Sequence, residues 1–227
     1  DTAMVTIADN DDVTLSIDDI TIAEDDATGV ATFTLTLSGE SEQAVTVDVD
    51  VAGSGTALAT LDADFSVTTP QTVTFDAGSL TQTLDVTILD DAVHEGDETY
   101  ELVLTSPTGR GVTVADDTGL GTIIDGESLT VAIADASVIE GDSSDVTLSF
   151  EVTLSGVSEQ TISLDIAVDA ASTDGATEGA DYTAPTDTTL TFAPGDTSLT
   201  CDLAVLADTI NEADESVDVT IANPDAT

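Results

Sequence analysis

The chain has 227 residues, 47 of them acidic against a single Arg110, no lysine and one histidine, and its formal charge at pH 7 is −46. That sign excludes nucleic acid and anionic membrane as partners, and self-repulsion on this scale destabilises a compact state unless salt screens it or cations bind. Hydrophobic residues reach 41% but aromatics only 3%, so the core must be Val, Ile, Leu and Ala with a few Phe, a composition that favours strands and argues against disorder.

Residues 1–11, Asp1-Thr2-Ala3-Met4-Val5-Thr6-Ile7-Ala8-Asp9-Asn10-Asp11, read as a strand ending in an acidic cap. Strands are then predicted near Val13–Ile17, Ala31–Leu37, Val45–Val51, Thr72–Phe75, Leu80–Leu89, Tyr100–Leu104 and Gly121–Ile124. Alternation is cleanest in Val45-Thr46-Val47-Asp48-Val49-Asp50-Val51, apolar on one face and acidic on the other, as expected of a half-buried antiparallel strand. Ser38-Gly39, Gly53-Ser54-Gly55, Ala77-Gly78 and Pro107-Thr108-Gly109 mark turns. Between the fifth and sixth predicted strands, the stretch Leu89–Tyr100 gathers Asp90, Asp91, Glu95, Asp97 and Glu98 with no cationic partner. Such a run is either a solvated turn between strands or a cluster neutralised by a hard divalent cation, since Ca2+ takes roughly 6–8 oxygen ligands.

The acidic stretch occurs twice. Leu206-Ala207-Asp208-Thr209-Ile210-Asn211-Glu212-Ala213-Asp214-Glu215 repeats it about 117 residues downstream, and the same displacement takes Phe33 to Phe150, Leu37-Ser38-Gly39 to Leu154-Ser155-Gly156 and Ala63-Asp64-Phe65 to Ala180-Asp181-Tyr182. Ile162-Ser163-Leu164-Asp165-Ile166-Ala167-Val168 repeats the alternating strand. About seven short strands in each repeat, with no segment of helical period, predict an all-β chain of two tandem antiparallel sandwiches. Residues 1–11 resemble Leu120–Glu127, the last strand of the first repeat, whereas Val217–Pro224 matches Tyr100–Pro107 and no counterpart of 120–127 follows it. The expected organisation is a last strand at 1–11 belonging to a neighbouring repeat, a first domain at 12–127, and a second at 128–227 that lacks its own last strand. The chain is expected to be one period of a longer array, or to lend its first strand to a preceding copy.

Other constellations carry less. Cys201 aligns with Leu84 inside a strand and reads as a small buried hydrophobe, with no second cysteine for a disulfide. His94 aligns with Asn211 and reads as a solvated loop side chain; no second histidine exists to build a zinc site or a catalytic dyad. Asp62-Ala63-Asp64 opens like an EF-hand loop, but the third acid, the glycine and the closing glutamate are missing. Paired carboxylates could serve a glycosidase, yet there is no Trp for a sugar cleft, so an enzyme is the poorest fit. Phe33, Phe150, Phe75 and Phe192 read as packing residues rather than a ligand-stacking surface. No apolar run reaches the roughly 18–20 residues of a membrane span and no basic-then-apolar leader is present, so a soluble segment of a longer or processed protein is expected.

The pattern of Ile22-Ala23-Glu24, Ala63-Asp64-Phe65, a strand ending in Asp90-Asp91, then Glu95-Gly96-Asp97-Glu98-Thr99-Tyr100 and Pro107 resembles the Calx-β domain, and the likeness covers both repeats. That family is an immunoglobulin-like sandwich found in sodium/calcium exchanger regulatory loops, an integrin cytoplasmic segment and large bacterial surface adhesins. The resemblance implies Ca2+ held at one tip of each sandwich. In the first repeat the implied ligands are Glu24, Asp64, Asp90, Asp91, the Val93 carbonyl, Glu95, Glu98, Asp125 and Glu127. Gly126 stands where the family carries another acid, which departs from the pattern of the outermost ion. In the second repeat they are Glu140, Asp181, Asp208, the Ile210 carbonyl, Glu212 and Glu215. There Ala207 replaces the first acid of the pair, and Asp9 and Asp11 of a neighbouring copy are expected to supply the final acidic run.

The functional expectation is a calcium-binding structural or adhesive repeat segment of an extracellular surface protein or filament, with Ca2+ rigidifying domain tips and junctions. Partners are expected to be neighbouring copies or adjacent repeats, assembled head to tail by strand complementation, and surface glycans or proteins. Two alternatives stand beside it: a Ca2+-sensing regulatory module, and an acidic, salt-adapted sandwich that needs no calcium.

Overall fold

The computed structural model describes residues 2–6, 8, 10–52, 58–170 and 175–226, all of whose regular structure is strand. Among these residues no helix is long and apolar enough to cross a membrane. By packing, the chain divides into two units, Asp1–Asp91 with Gly96–Gly126, and Ala92–Glu95 with Glu127–Thr227. The expected turn Gly53-Ser54-Gly55, and Asp1, Ile7 and Asp9 of the expected first strand, lie outside the described residues.

The first unit holds β1 (Val13–Ile17), β2 (Ile20–Ala23), β3 (Val30–Leu37), β4 (Val45–Ala52), β5 (Phe65–Ser66), β6 (Gln71–Phe75) and β7 (Thr81–Ile88). The short strand β8 (Val93–His94) belongs to the second unit, after which β9 (Glu98–Thr105), β10 (Val112–Val114) and β11 (Thr118–Ile124) complete the first. They form two five-stranded sheets, ordered β10-β1-β3-β7-β5 and β2-β11-β9-β4-β6. Period-2 alternation decides which face each strand buries. On β3 it sends Ala31, Phe33, Leu35 and Leu37 inward, and on β4 Val45, Val47 and Val49, so that one continuous core forms between the sheets. Tyr100 on β9 sits in that core, stacked on Phe65 at 4.2 Å and edge-on to Phe33 at 6.0 Å.

The second unit holds β12 (Val131–Ile133), β13 (Val146–Leu154), β14 (Val157–Ser158), β15 (Ile162–Ala170), β16 (Tyr182–Thr183), β17 (Thr189–Phe192), β18 (Ser198–Val205) and β19 (Val217–Ala226). Its sheets run β12-β13-β18-β16 and β17-β15-β19, and β14 pairs in parallel with β8. The repeat extends to register: Phe33 lies opposite Leu84, and Phe150 opposite Cys201. The apolar residues are less enclosed here, in two smaller clusters around Phe192 and around Phe150 and Tyr182.

Residues 2–6, 8, 10 and 11 lie in no strand and are exposed. Three sequence expectations change. Cys201 is half-buried rather than buried, in keeping with the less enclosed second core. His94 is not a solvated loop residue: it lies half-buried on β8, with Nδ1 3.1 Å from the Glu127 carbonyl oxygen. The short strands β2, β5, β8 and β10 were not expected, since two to four residues carry too little alternation to be read.

Candidate metal centre

In each unit the acidic tip is assembled by the same backbone hydrogen bonds. A tight turn folds Asp64 back so that its N–H donates to the Thr60 carbonyl at 2.9 Å and its carboxylate accepts from the Thr60 N–H; Asp181 and Thr177 reproduce it, with the amide-to-carboxylate bond at 2.6 Å. The turn is tied to the end of β7 by Leu89 N–H donating to the Asp64 carbonyl, and in the second unit to the end of β18 by Leu206 N–H donating to the Asp181 carbonyl, both at 2.9 Å. From the other sheet comes a glutamate. Glu24 Oε1 accepts the Asp91 N–H at 3.0 Å, and Glu140 Oε1 accepts the Asp208 N–H at 3.0 Å.

Within the first unit, carboxylate oxygens of Glu24 and Asp125 lie within 4.8 Å of one another, as do those of Asp64 and Glu98. Glu24 is buried although its side chain is acidic, and its N–H donates to the Ile124 carbonyl, continuing the pairing of β2 with β11 by one residue. Asp90 and Asp91 are exposed at the end of β7. Val93, Glu95 and Glu127 are half-buried and belong by packing to the second unit.

Within the second unit, Glu140, Asp208 and Glu212 bring one carboxylate oxygen each within 4.8 Å of the others. Asp181 is half-buried. Desolvation pushes both Glu212 and Glu215 above the usual carboxylate range; Asp208, Asp181 and Glu140 add to it at Glu212, and the neighbouring Asp181 carboxyl, Glu212 and Glu140 add to it at Glu215. Ile210 is exposed, its N–H donating to Asp208 Oδ1 at 2.7 Å. Glu140 is exposed where Glu24 is buried, as follows from the absence of a β11 counterpart among the described residues of this unit.

Two acids escaped the sequence reading. Asp145 accepts the Ala207 N–H at 3.0 Å, so it returns a carboxylate to the corner where Ala207 stands in place of Asp90. The signal was the exchange of Thr28 for Asp145 at the displacement that takes Phe33 to Phe150. Asp25 lies against Gly126, where an added Cβ would come 3.1 Å from both its Cβ and Cγ. A side chain at 126 would press on Asp25, so a neighbouring carboxylate stands beside the departure at that position.

These donors are all hard oxygens carrying formal charge, with neither His nor Cys among the clustered groups, a set that fits Ca2+ and not a softer metal. A profile of the Calx-beta domain matches residues 8–137 and again 125–227. The chain belongs to the Calx-beta family. Similar solved structures include CBD12 from CALX1.2, 21% identical over 94% of this chain and 81% of that one, with a TM-score of 0.45. The calcium binding domain CBD12 of CALX1.1 is 20% identical over 92% of this chain and 80% of its own, also at 0.45. The apo-form Calx CBD1 domain is 19% identical, covers 52% of this chain and all of its own, and has a TM-score of 0.44. Comparison with curated protein sequences gives no match.

Proposed function

We propose that this Calx-beta chain is a calcium-binding structural and adhesive repeat segment of an extracellular surface protein or filament, in which Ca2+ stiffens the acidic domain tips and junctions. The observation that carries it is the recurrence, in both units, of a glutamate carboxylate accepting the amide of an aspartate from the acidic loop, Glu24 with Asp91 and Glu140 with Asp208. A chain with 47 carboxylates and one Arg has almost no internal cation with which to satisfy such clusters. Glu24, Asp125, Asp64 and Glu98 would hold Ca2+ in the first unit, and Glu140, Asp208, Glu212 and Asp181 in the second. The bound ion would supply the positive charge the tips lack, and the carboxylates would supply its oxygen ligands.

The test is a calorimetric Ca2+ titration with thermal unfolding of the chain, beside Asp91→Ala, Glu24→Gln and Glu140→Gln. Preferential binding to the folded state raises stability by about 2.7 kcal/mol at a hundredfold excess over Kd, roughly 10 °C in Tm for a unit of this size. Unchanged Tm in chelator would refute the reading. Recovery by monovalent salt alone would favour the salt-adapted sandwich, and micromolar saturation with a large change in solution dimensions would favour a sensor.

A further inference from the structure

Arg110 is the only arginine in the chain, no lysine accompanies it, and although the chain carries 47 acids none stands between Glu101 and Asp116. It lies in the loop joining β9 to β10, where residues 105–111 are all exposed. We propose that the Arg110–Gly111 bond is a processing site for an arginine-specific protease of the trypsin class. Cutting it yields a two-chain protein whose fragments, 1–110 and 111–227, stay interlaced without a covalent link.

The loop suits that chemistry. Such a protease seats the guanidinium against a carboxylate in its S1 pocket, so acids flanking the arginine would oppose binding and an acid-free segment favours it. Nicking concentrates at exposed loop tips made of small and polar residues. This loop reads Thr105-Ser106-Pro107-Thr108-Gly109-Arg110-Gly111, and Ser106, Gly109 and Gly111 have φ of 52°, 124° and 72°, values that carry the backbone away from strand geometry. On one side of the bond, Thr108 is held to Thr46, its N–H donating to the Thr46 carbonyl at 2.8 Å and its Oγ1 accepting the Thr46 N–H at 3.1 Å. On the other, the Gly111 carbonyl accepts the Val13 N–H at 3.0 Å. Both anchors lie near strand ends, so the loop can swing out into an extended form while the sheets stay paired.

In the cut itself, water adds across the Arg110–Gly111 bond and leaves a carboxylate on Arg110 and an ammonium on Gly111. A Cβ on Gly111 would come 3.1 Å from the Asp11 carbonyl oxygen and 3.6 Å from Asp12 Oδ1. The new ammonium, carried by the same Cα, thus arises beside acceptor oxygens.

Topology keeps the halves together. Fragment 111–227 carries β10 and β11 into the first unit. There β11 pairs antiparallel with β9 from Thr118 to Ile123 and parallel with β2 from Gly121 to Ile124, and it buries Ile123 in the core. β10 pairs with β1, and its Val112 and Val114 pack on the same core. In return, fragment 1–110 carries β8, whose Val93 and His94 pair with Val157 and Ser158 of β14. All three strands find their partners in the opposite fragment, so the halves part only when the first unit unfolds. The cut removes the tether, and folding of that unit becomes an association that depends on concentration.

Mild trypsin treatment of the 227-residue chain tests this. One cut should appear, with Gly111 as the new amino terminus, and the product should elute with the intact chain yet resolve into two fragments in denaturant. The Tm of the first unit should be lower in the cut protein than in the intact one and should rise with protein concentration, whereas that of the intact chain does not. Arg110→Gln, at an exposed position, should fold as the parent does and resist the protease. A folded chain left whole under conditions that cut it in urea, fragments that part in native buffer, a cut that persists in Arg110→Gln, or a cut protein whose Tm ignores concentration would overturn the proposal.

Discussion

Replacing Gly121 with alanine tests the packing logic of the first unit most directly. The added Cβ would lie 2.2 Å from Tyr100 Cζ, 2.4 Å from Cε1 and 2.7 Å from Cε2. Carbon atoms in contact sit about 3.5–4.0 Å apart, so the ring or the strand must move by more than about 1 Å. The ring has little room to move: Tyr100 is 2% exposed, stacked on Phe65 and edge-on to Phe33. Overpacking of this kind costs about 1–3 kcal/mol, and the severity of the overlap places Gly121→Ala at the upper end. Tyr100→Val alone removes most of a buried ring and should cost about 3 kcal/mol or more. With both changes the overlap is gone, so the double variant should be more stable than the sum of the single losses predicts, by about 2 kcal/mol. Scanning calorimetry of the four proteins reads this as about 4 °C in Tm per kcal/mol for a unit of about 115 residues. Additive losses, or a Gly121→Ala protein as stable as the parent, would refute the argument.

The remaining predictions concern single groups. The Tyr100 hydroxyl is buried with no hydrogen-bond partner, and burial pushes its ionisation well above the usual tyrosine range, so Tyr100→Phe should stabilise the first unit by about 1 kcal/mol in urea unfolding. Glu212 and Glu215 are held above the ordinary value of 4.5, so the folded state binds more protons than the unfolded one between that value and the raised one. Their contribution is therefore present at low pH and lost as pH rises through the raised value. The Tm of the metal-free second unit should climb from pH 7 towards pH 5, while the increment from added Ca2+ shrinks over the same range as protons compete for the ligands; the opposite trends would contradict the clustering. Desolvation, then Asp202 and Asp187, raise the Cys201 thiol, so it should react with a disulfide reagent at pH 8 more slowly than a free thiol and speed up on unfolding.

Most of the architecture was legible because it rests on local alternation that occurs twice. Val45–Val51 and its repeat at Ile162–Val168 each specify one buried face, and strands with that pattern can be stable only as paired layers around an apolar centre. The glutamate and aspartate of each tip were legible too, since repetition at a fixed displacement separates a constrained carboxylate from a solvated one. Asp25 and Asp145 were not, because each substitutes for an acid elsewhere in the chain, at Gly126 and at Ala207, and only folding places the replacement beside the gap.

The linear order of residues thus determined the all-β class, the twofold repetition and the acidity of the repeated loops, all properties of spacing and charge. The tertiary structure alone decided that Ala92–Glu95 packs with the second unit and that Glu24 is buried while Glu140 is not. The physical reason is that burial and strand pairing depend on which distant segment lies alongside. Val217 and Tyr100 occupy the same place in the repeat, yet Tyr100 is buried opposite Gly121 while Val217 is half-buried.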